Sequence, residues 1–255
     1  MTKKHLFTCS VILVLVIISG INIFGTTVKR NRKKNHPATL VFSKFLFKNP
    51  DSLNEFSFAN EALPIENEKV QRKLQHTLNR HNFRNVQSNI LHNKAERLFP
   101  IIEPILRAYG IPDDFKYVPL VEAGFSDGVS LKGAKGIWQF MPGTARTYGL
   151  KVGHGVDERM NVRKSTVAAC KYINELYAQF NSWTLAAAAY NNGEIKLARA
   201  INSQNEDNYF RMHLNRETGS YVYNLIAMKA IISNPGKYGY RNFIKLSPID
   251  LMAYN

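Results

Sequence analysis

The sequence predicts a mainly helical domain preceded by an N-terminal transmembrane helix. Three observations carry this. Apolar residues recur at helical spacing through most of the chain after residue 66. Strand-like alternation is scarce and leaves room for a small hairpin around 125–137 at most. Residues 6–25 are twenty mostly apolar residues without a charge, a length that crosses a bilayer.

The N-terminal segment, 1–25, reads as a signal-anchor. A secretion signal would end in a small-x-small site, and Ile18-Ser19-Gly20 is a poor one, so an uncleaved anchor is favoured. Residues 26–60 read as a basic linker. Lys, Asn, Pro and Ser recur there without periodicity, and Phe42, Phe45 and Phe47 are local apolar spots. Residues 61–94 form a helical extension, with a helix over 66–82 whose Val70, Leu74 and Leu78 share a face. A longer helix covers 86–109, with a stripe of Leu91, Ala95, Leu98, Ile102, Ile105 and Leu106. Gly110 and Pro112 stop it, and Asp113 is a candidate cap for the next helix.

The chain turns on residues 117–150. A short apolar helix delivers one carboxylate, Glu122, and breaks at Gly124. Glycines come next at 128, 133 and 136, then the bulky run Ile137-Trp138-Gln139-Phe140-Met141. Pro142 suits the first turn of another helix and Gly149 its end. A carboxyl among apolar neighbours is disfavoured in its charged form, so its pKa rises. A raised pKa suits a general acid working near neutrality. A lone Glu at a frayed helix end has a bland reading too, as a solvated side chain.

Beyond this stretch, 151–161 is a glycine-containing loop with a solitary His154, and 163–180 is a helix. Residues 183–191 form a helix from Ser182 as N-cap, its four successive alanines allowing close approach of a neighbour. Asn192-Gly193 is its exit. Tyr190 and Asn191 fall at that end, either as core residue and cap or as cleft residues. Residues 194–202 are a short helix, 203–215 a polar loop, and 217–233 the last strong helix. Tyr221 fits the core of that helix by periodicity, and Glu217 sits in its first turn as a cap or an assisting acid. The tail is 236–255.

The net charge is +15, and the first 50 residues carry nine Lys or Arg and no acid. A basic surface suits an anionic polymer. No nucleic-acid-binding signature accompanies it, so nucleic acid is not an expected partner. Two cysteines, Cys9 and Cys170, give neither a disulfide framework nor metal-ligand spacing.

Three ordered blocks resemble the lytic transglycosylases, lysozyme-like enzymes that cleave peptidoglycan. They are Glu122 with Ser130-x-x-Gly133-Ala134-x-Gly136-Ile137-Trp138-Gln139-Phe140-Met141-Pro142-x-Thr144-Ala145, then Ala189-Tyr190-Asn191-Asn192-Gly193, then Arg216-Glu217-Thr218-x-x-Tyr221-Val222. Asp157-Glu158-Arg159 and Lys164-Ser165-Thr166-Val167-Ala168-Ala169 resemble the membrane-bound type D branch. The resemblance implies a goose-lysozyme/SLT-type helical domain over 95–235, with Glu122 catalytic. It implies substrate-binding roles for Ser130, Gln139, Met141, Tyr190, Asn191 and Tyr221, and an assisting role for Glu217. The family usually places Ser after the catalytic Glu, where this chain has Ala123.

The implied reaction cleaves the β-1,4 bond between N-acetylmuramic acid and N-acetylglucosamine and closes a 1,6-anhydro ring. A hydrolytic enzyme uses two carboxylates, whereas this route uses one, with no metal and no cofactor. Peptidoglycan and a membrane are the implied partners, and the domain is expected in the periplasm, anchored in the inner membrane or released if the segment is cleaved. The basic run Lys29–Lys34 would by the positive-inside tendency hold the domain in the cytoplasm, and the resemblance argues against that orientation. A hydrolytic muramidase and a wall-binding scaffold are the alternatives.

Overall fold

The computed structural model describes residues 56–124, 130 and 132–240. The expected anchor, most of the basic linker, residues 125–129 of the expected hairpin region and the tail from 241 lie outside the described residues. Among the described residues no helix is long and apolar enough to cross a membrane. The described fold is mainly helical.

Strands β1 (Ser57–Phe58) and β2 (Glu61–Ala62) make an antiparallel hairpin. Helix α1 spans Glu68–His81, α2 Phe83–Val86 and α3 Ile90–Ala108. A 3-10 turn, Asp113–Tyr117, leads into α4, Val118–Glu122. Helix α5 is Pro142–Thr147, followed by a second hairpin of β3 (Val152–Gly153) and β4 (Val156–Asp157). Then come α6 (Val162–Phe180), α7 (Trp183–Asn192), α8 (Glu194–Gln204) and α9 (Thr218–Ser233).

Helix α9 is buried around most of its circumference: Tyr221, Val222, Tyr223, Leu225, Ile226, Ala227, Met228, Ala230 and Ile231 are buried, and Asn224 and Lys229 are half-buried. Such a helix has little polar face to mark its orientation. It packs against α1, α4 and α7. Helix α1 presents Val70, Leu74 and Leu78, as their spacing predicts. Helix α7 presents Ala186 to Ala189, all fully buried, and is wedged between α6 and α9. Ser182 caps it as expected, its Oγ accepting from Leu185 N–H at 3.2 Å.

Several local expectations change. The loop read over 151–161 contains the β3–β4 hairpin, and an isolated bridge joins Lys135 and Phe140. Asp113 does not cap; its carboxylate faces Arg107 at 3.7 Å. Glu217 makes no cap bond either. Asn215 does that instead, Oδ1 accepting from Thr218 N–H at 2.9 Å. Within the stretch read as linker, Phe56 and Phe58 are 1% exposed and belong to the core.

The first hairpin is fastened by charge. The Glu61 carboxylate accepts from Ser182 Oγ (2.9 Å) and from the N–H groups of Trp183 (2.6 Å) and Thr184 (2.9 Å). These are donors at the open N-terminus of α7, where a negative charge is favoured. Lys229 on α9 pairs with Asp114 at 2.7 Å, and Asp114 also accepts from Ala59 N–H at 2.8 Å. Glu61→Ala removes a capping carboxylate and is expected to lower stability by about 2 kcal/mol. A thermal melt should show Tm lower by about 4–8 °C; an unchanged Tm means that the hairpin is not coupled to α7.

Candidate active site

Glu122 ends a helix only five residues long. Pro119 sits in its first turn, and Gly124, at φ +49°, turns the chain out of it. Lys94 reaches from α3 and donates to the Gly124 carbonyl at 2.9 Å, fixing that exit. The Glu122 carboxyl faces α9, where Tyr221 O–H donates to Oε1 at 2.6 Å. Burial pushes the carboxyl up to about 7; the Tyr221 bond works against this, and the charge of Glu217 adds to it. The Tyr221 phenol is in turn raised well above its ordinary value by burial and by the Glu122 charge, so it stays a donor.

A cleft of about 480 Å³ opens in front of the carboxyl. Arg80, Val121, Glu122, Asn191, Arg216, Glu217, Ser220, Tyr221 and Asn224 line it. Four candidates from the sequence meet here: Glu122, Asn191, Glu217 and Tyr221. Asn191 Nδ2 donates to Glu217 Oε1 at 3.1 Å. Its Oδ1 is buried without a hydrogen-bond partner.

The other candidates serve the loop behind the carboxyl. Tyr190 O–H donates to the Trp138 carbonyl at 2.7 Å, rather than to Glu122. Trp138 is fully buried and its Nε1 donates to Thr166 Oγ1 at 3.0 Å. Ser130 Oγ accepts from Ala134 N–H at 2.9 Å, closing a turn. Gln139 sits at φ +48°, and its Nε2 donates to the Gly136 carbonyl at 2.8 Å. Met141 is 43% exposed, at the start of α5.

Arg159, which carries no structural signal in the sequence, organises this loop. Its guanidinium is buried and makes four hydrogen bonds. Nε and Nη2 donate to the two oxygens of Asp157, both at 2.8 Å, and Nη1 donates to the carbonyls of Gly133 (2.8 Å) and Phe140 (3.0 Å). Lys135 adds a contact to Asp157 at 3.2 Å. The guanidinium and this amine hold the Asp157 carboxyl far below the usual range. Backbone approach is so close that a Cβ on Gly136 would lie 2.0 Å from the Arg159 carbonyl oxygen. Only glycine fits, at φ +77°. Arg80 and Asn224 also reach the cleft without a sequence signal, joined by a 2.6 Å hydrogen bond from α1 to α9. A polar residue on an amphipathic helix gives no local sign of which cleft it faces.

A family profile described as the transglycosylase SLT domain matches residues 100–212. Residues 100–212 thus carry a transglycosylase SLT domain. Over 185 residues the chain is 31% identical to membrane-bound lytic murein transglycosylase D of Escherichia coli K12, covering 69% of this chain and 39% of that protein. The protein of the same name from E. coli O6:H1 strain CFT073 aligns equally. A protein of Alteromonas sp. strain M-1, named for resistance to tributyltin chloride, is 35% identical over 112 residues, 43% of this chain and 54% of its own length. The chain thus spans well under two thirds of these relatives. Tyr221, whose hydroxyl bonds Glu122, lies beyond the matched residues. Among the described residues no cluster of His, Cys, Asp or Glu is arranged to hold a metal ion.

The raised Glu122 carboxyl couples stability to pH. Folded Glu122 keeps a proton up to about 7 that an ordinary Glu, near 4.5, releases earlier. The folded state therefore gains fully below 4.5, and that contribution is lost as pH rises through about 7. Glu122→Gln abolishes the loss. Its Tm should gain on wild type between pH 4 and pH 8, by the equivalent of up to about 3 kcal/mol. Parallel Tm curves for the two proteins would show that Glu122 titrates normally.

Proposed function

We propose that this protein is a peptidoglycan lytic transglycosylase in which Glu122 alone serves as general acid and then general base. The observation that carries the reading is a half-buried carboxyl pushed up to about 7 at the head of a cleft, oriented by one neutral donor. A protonated Glu122 donates to the glycosidic oxygen between N-acetylmuramic acid and N-acetylglucosamine. The acetamido group of the muramic acid shares the positive charge that develops at the anomeric carbon. Ionised Glu122 then takes the proton of the C6 hydroxyl, and that oxygen closes the 1,6-anhydro ring. No water enters the product.

In this reading Tyr221 orients the carboxyl and follows its charge through both steps. The buried Oδ1 of Asn191 is an acceptor that a sugar hydroxyl or amide N–H can satisfy. Ser130, Gln139, Met141 and Tyr190 contribute through the wall they build and brace. Ala123 is 6% exposed, so the methyl group that replaces the family's hydroxyl is accommodated in packing. The family's membrane-bound relatives support assignment to the cell envelope, with residues 1–25 as anchor and the domain outside the cytoplasm.

A hydrolytic muramidase is favoured by one observation: Glu217 shares the cleft with Glu122. Glu217 is exposed and held by Asn191, and a water activated there would give a reducing sugar instead. Product analysis separates the two. Purified peptidoglycan digested with the full chain should yield muropeptides lighter by one water than hydrolysed ones, by mass spectrometry. Glu122→Gln should reduce their formation by about 100- to 10,000-fold. Reducing-end products without anhydro sugar would establish hydrolysis and give Glu217 the second role.

The pH profile tests the acid. Because free-enzyme Glu122 must be protonated, kcat/KM should fall as pH rises past about 7. Tyr221→Phe removes a hydrogen bond that favours the ionised form, so the descending limb should move to higher pH, with a lower maximum. A limb that stays in place, or moves down, would mean that Tyr221 does not tune Glu122.

A further inference from the structure

Two arginines face the cleft without a carboxylate partner among the described residues. Arg80 comes from α1 and Arg216 from the loop before α9, and both lie outside the residues matched by the family profile. Arg80 Nη2 donates to Asn224 Oδ1 at 2.6 Å, an amide that orients the guanidinium without neutralising it. Arg216 is exposed and makes no ion pair among the described residues. The acids of the same cleft are otherwise engaged, Glu122 by Tyr221 and Glu217 by Asn191. A neutral sugar chain needs no such charge. Guanidinium is weakly hydrated and forks onto carboxylates in two parallel bonds, and a partly enclosed cleft strengthens such pairs.

We propose that Arg80 and Arg216 form a carboxylate-reading subsite that makes the enzyme selective for glycan still bearing its stem peptides. The subsite rests on the transglycosylase reaction proposed for Glu122. Stem peptides leave the glycan from the lactyl group of N-acetylmuramic acid, the sugar whose anomeric bond Glu122 attacks. Their carboxylates are therefore the anionic groups brought nearest to this cleft. Arg80 belongs to the helical extension, so the extension contributes specificity to a reaction run by the SLT domain.

The test compares the full chain on three substrates: peptide-bearing strands, strands stripped by an amidase, and peptide-bearing strands whose carboxylates are blocked by carbodiimide amidation. Wild type should show kcat/KM on the first about tenfold or more above the other two, the size of one or two charge-assisted hydrogen bonds. Arg80→Gln with Arg216→Gln should collapse that ratio, and the two Lys replacements should restore part of it. Equal rates of wild type on all three substrates overturn the subsite while anhydro products still stand for the chemistry. A double variant that loses activity equally on all three also overturns it, because the arginines are then structural. If wild type makes anhydro products from none, the proposed function falls and the subsite with it. The blocked-carboxylate arm uses wild type alone, so it decides even if the variants fail to fold.

Discussion

The site depends on a single hydrogen bond across 99 residues of chain, from Tyr221 on α9 to Glu122 at the end of α4. A buried carboxyl needs a partner, and the kind of partner decides its chemistry. A cation in contact would hold it ionised and far below neutrality, as Arg159 and Lys135 do to Asp157. A phenol satisfies one lone pair, fixes the rotamer, and leaves desolvation to dominate. The protein thus contains both arrangements about 35 residues apart in sequence: one acid held as an anion by cations and one whose charged form burial disfavours.

That arrangement works only if α9 cannot shift. Its burial around most of its circumference, the alanine-lined contact with α7 and the Lys229–Asp114 pair all restrain it. The opposite wall is restrained differently. Residues 132–141 bury little apolar surface beyond Trp138 and Phe140, so bonds from the buried Arg159 guanidinium to their backbone carbonyls hold them. Truncating Arg159 would take a donor from the carbonyls of Gly133 and Phe140 and leave the Asp157 carboxylate with Lys135 as its remaining cation, a larger loss than one ordinary contact.

Much of this is legible in sequence because helices announce themselves by period. The apolar stripe of α1, the Ser182 cap and the glycine that ends α4 are local signals with local causes. Glu122 stands out as a candidate because a carboxylate among apolar residues next to glycines is costly unless used and because the family-like blocks surround it. What escapes is non-local. Asp157-Glu158-Arg159 reads as a polar loop, and only the fold puts its guanidinium beneath Gly133 and Phe140. The β3–β4 hairpin has two residues per strand, too few for alternation to show. Phe56 and Phe58 are hidden by their setting among polar residues, and their burial goes with the Glu61 and Asp114 anchors on either side of the hairpin. Tyr190 sits where its period and its helix end put it, but only the fold commits its hydroxyl to Trp138.

These anchors change what counts as the catalytic unit. The family profile begins at residue 100, yet the helix that positions Tyr221 rests on α1, and the helix that carries Asn191 is capped by Glu61. Residues 56–81 also supply Arg80 to the cleft wall. Removing them would strip the apolar face of α9, leave Lys229 and Asp114 paired at a newly wet surface, and open the N-terminus of α7. Each effect acts on a helix that holds a cleft residue. The extension is therefore part of the folded core rather than a spacer, and the shortest chain expected to hold Glu122 in this geometry starts before Phe56 and not at residue 100, where the family match begins.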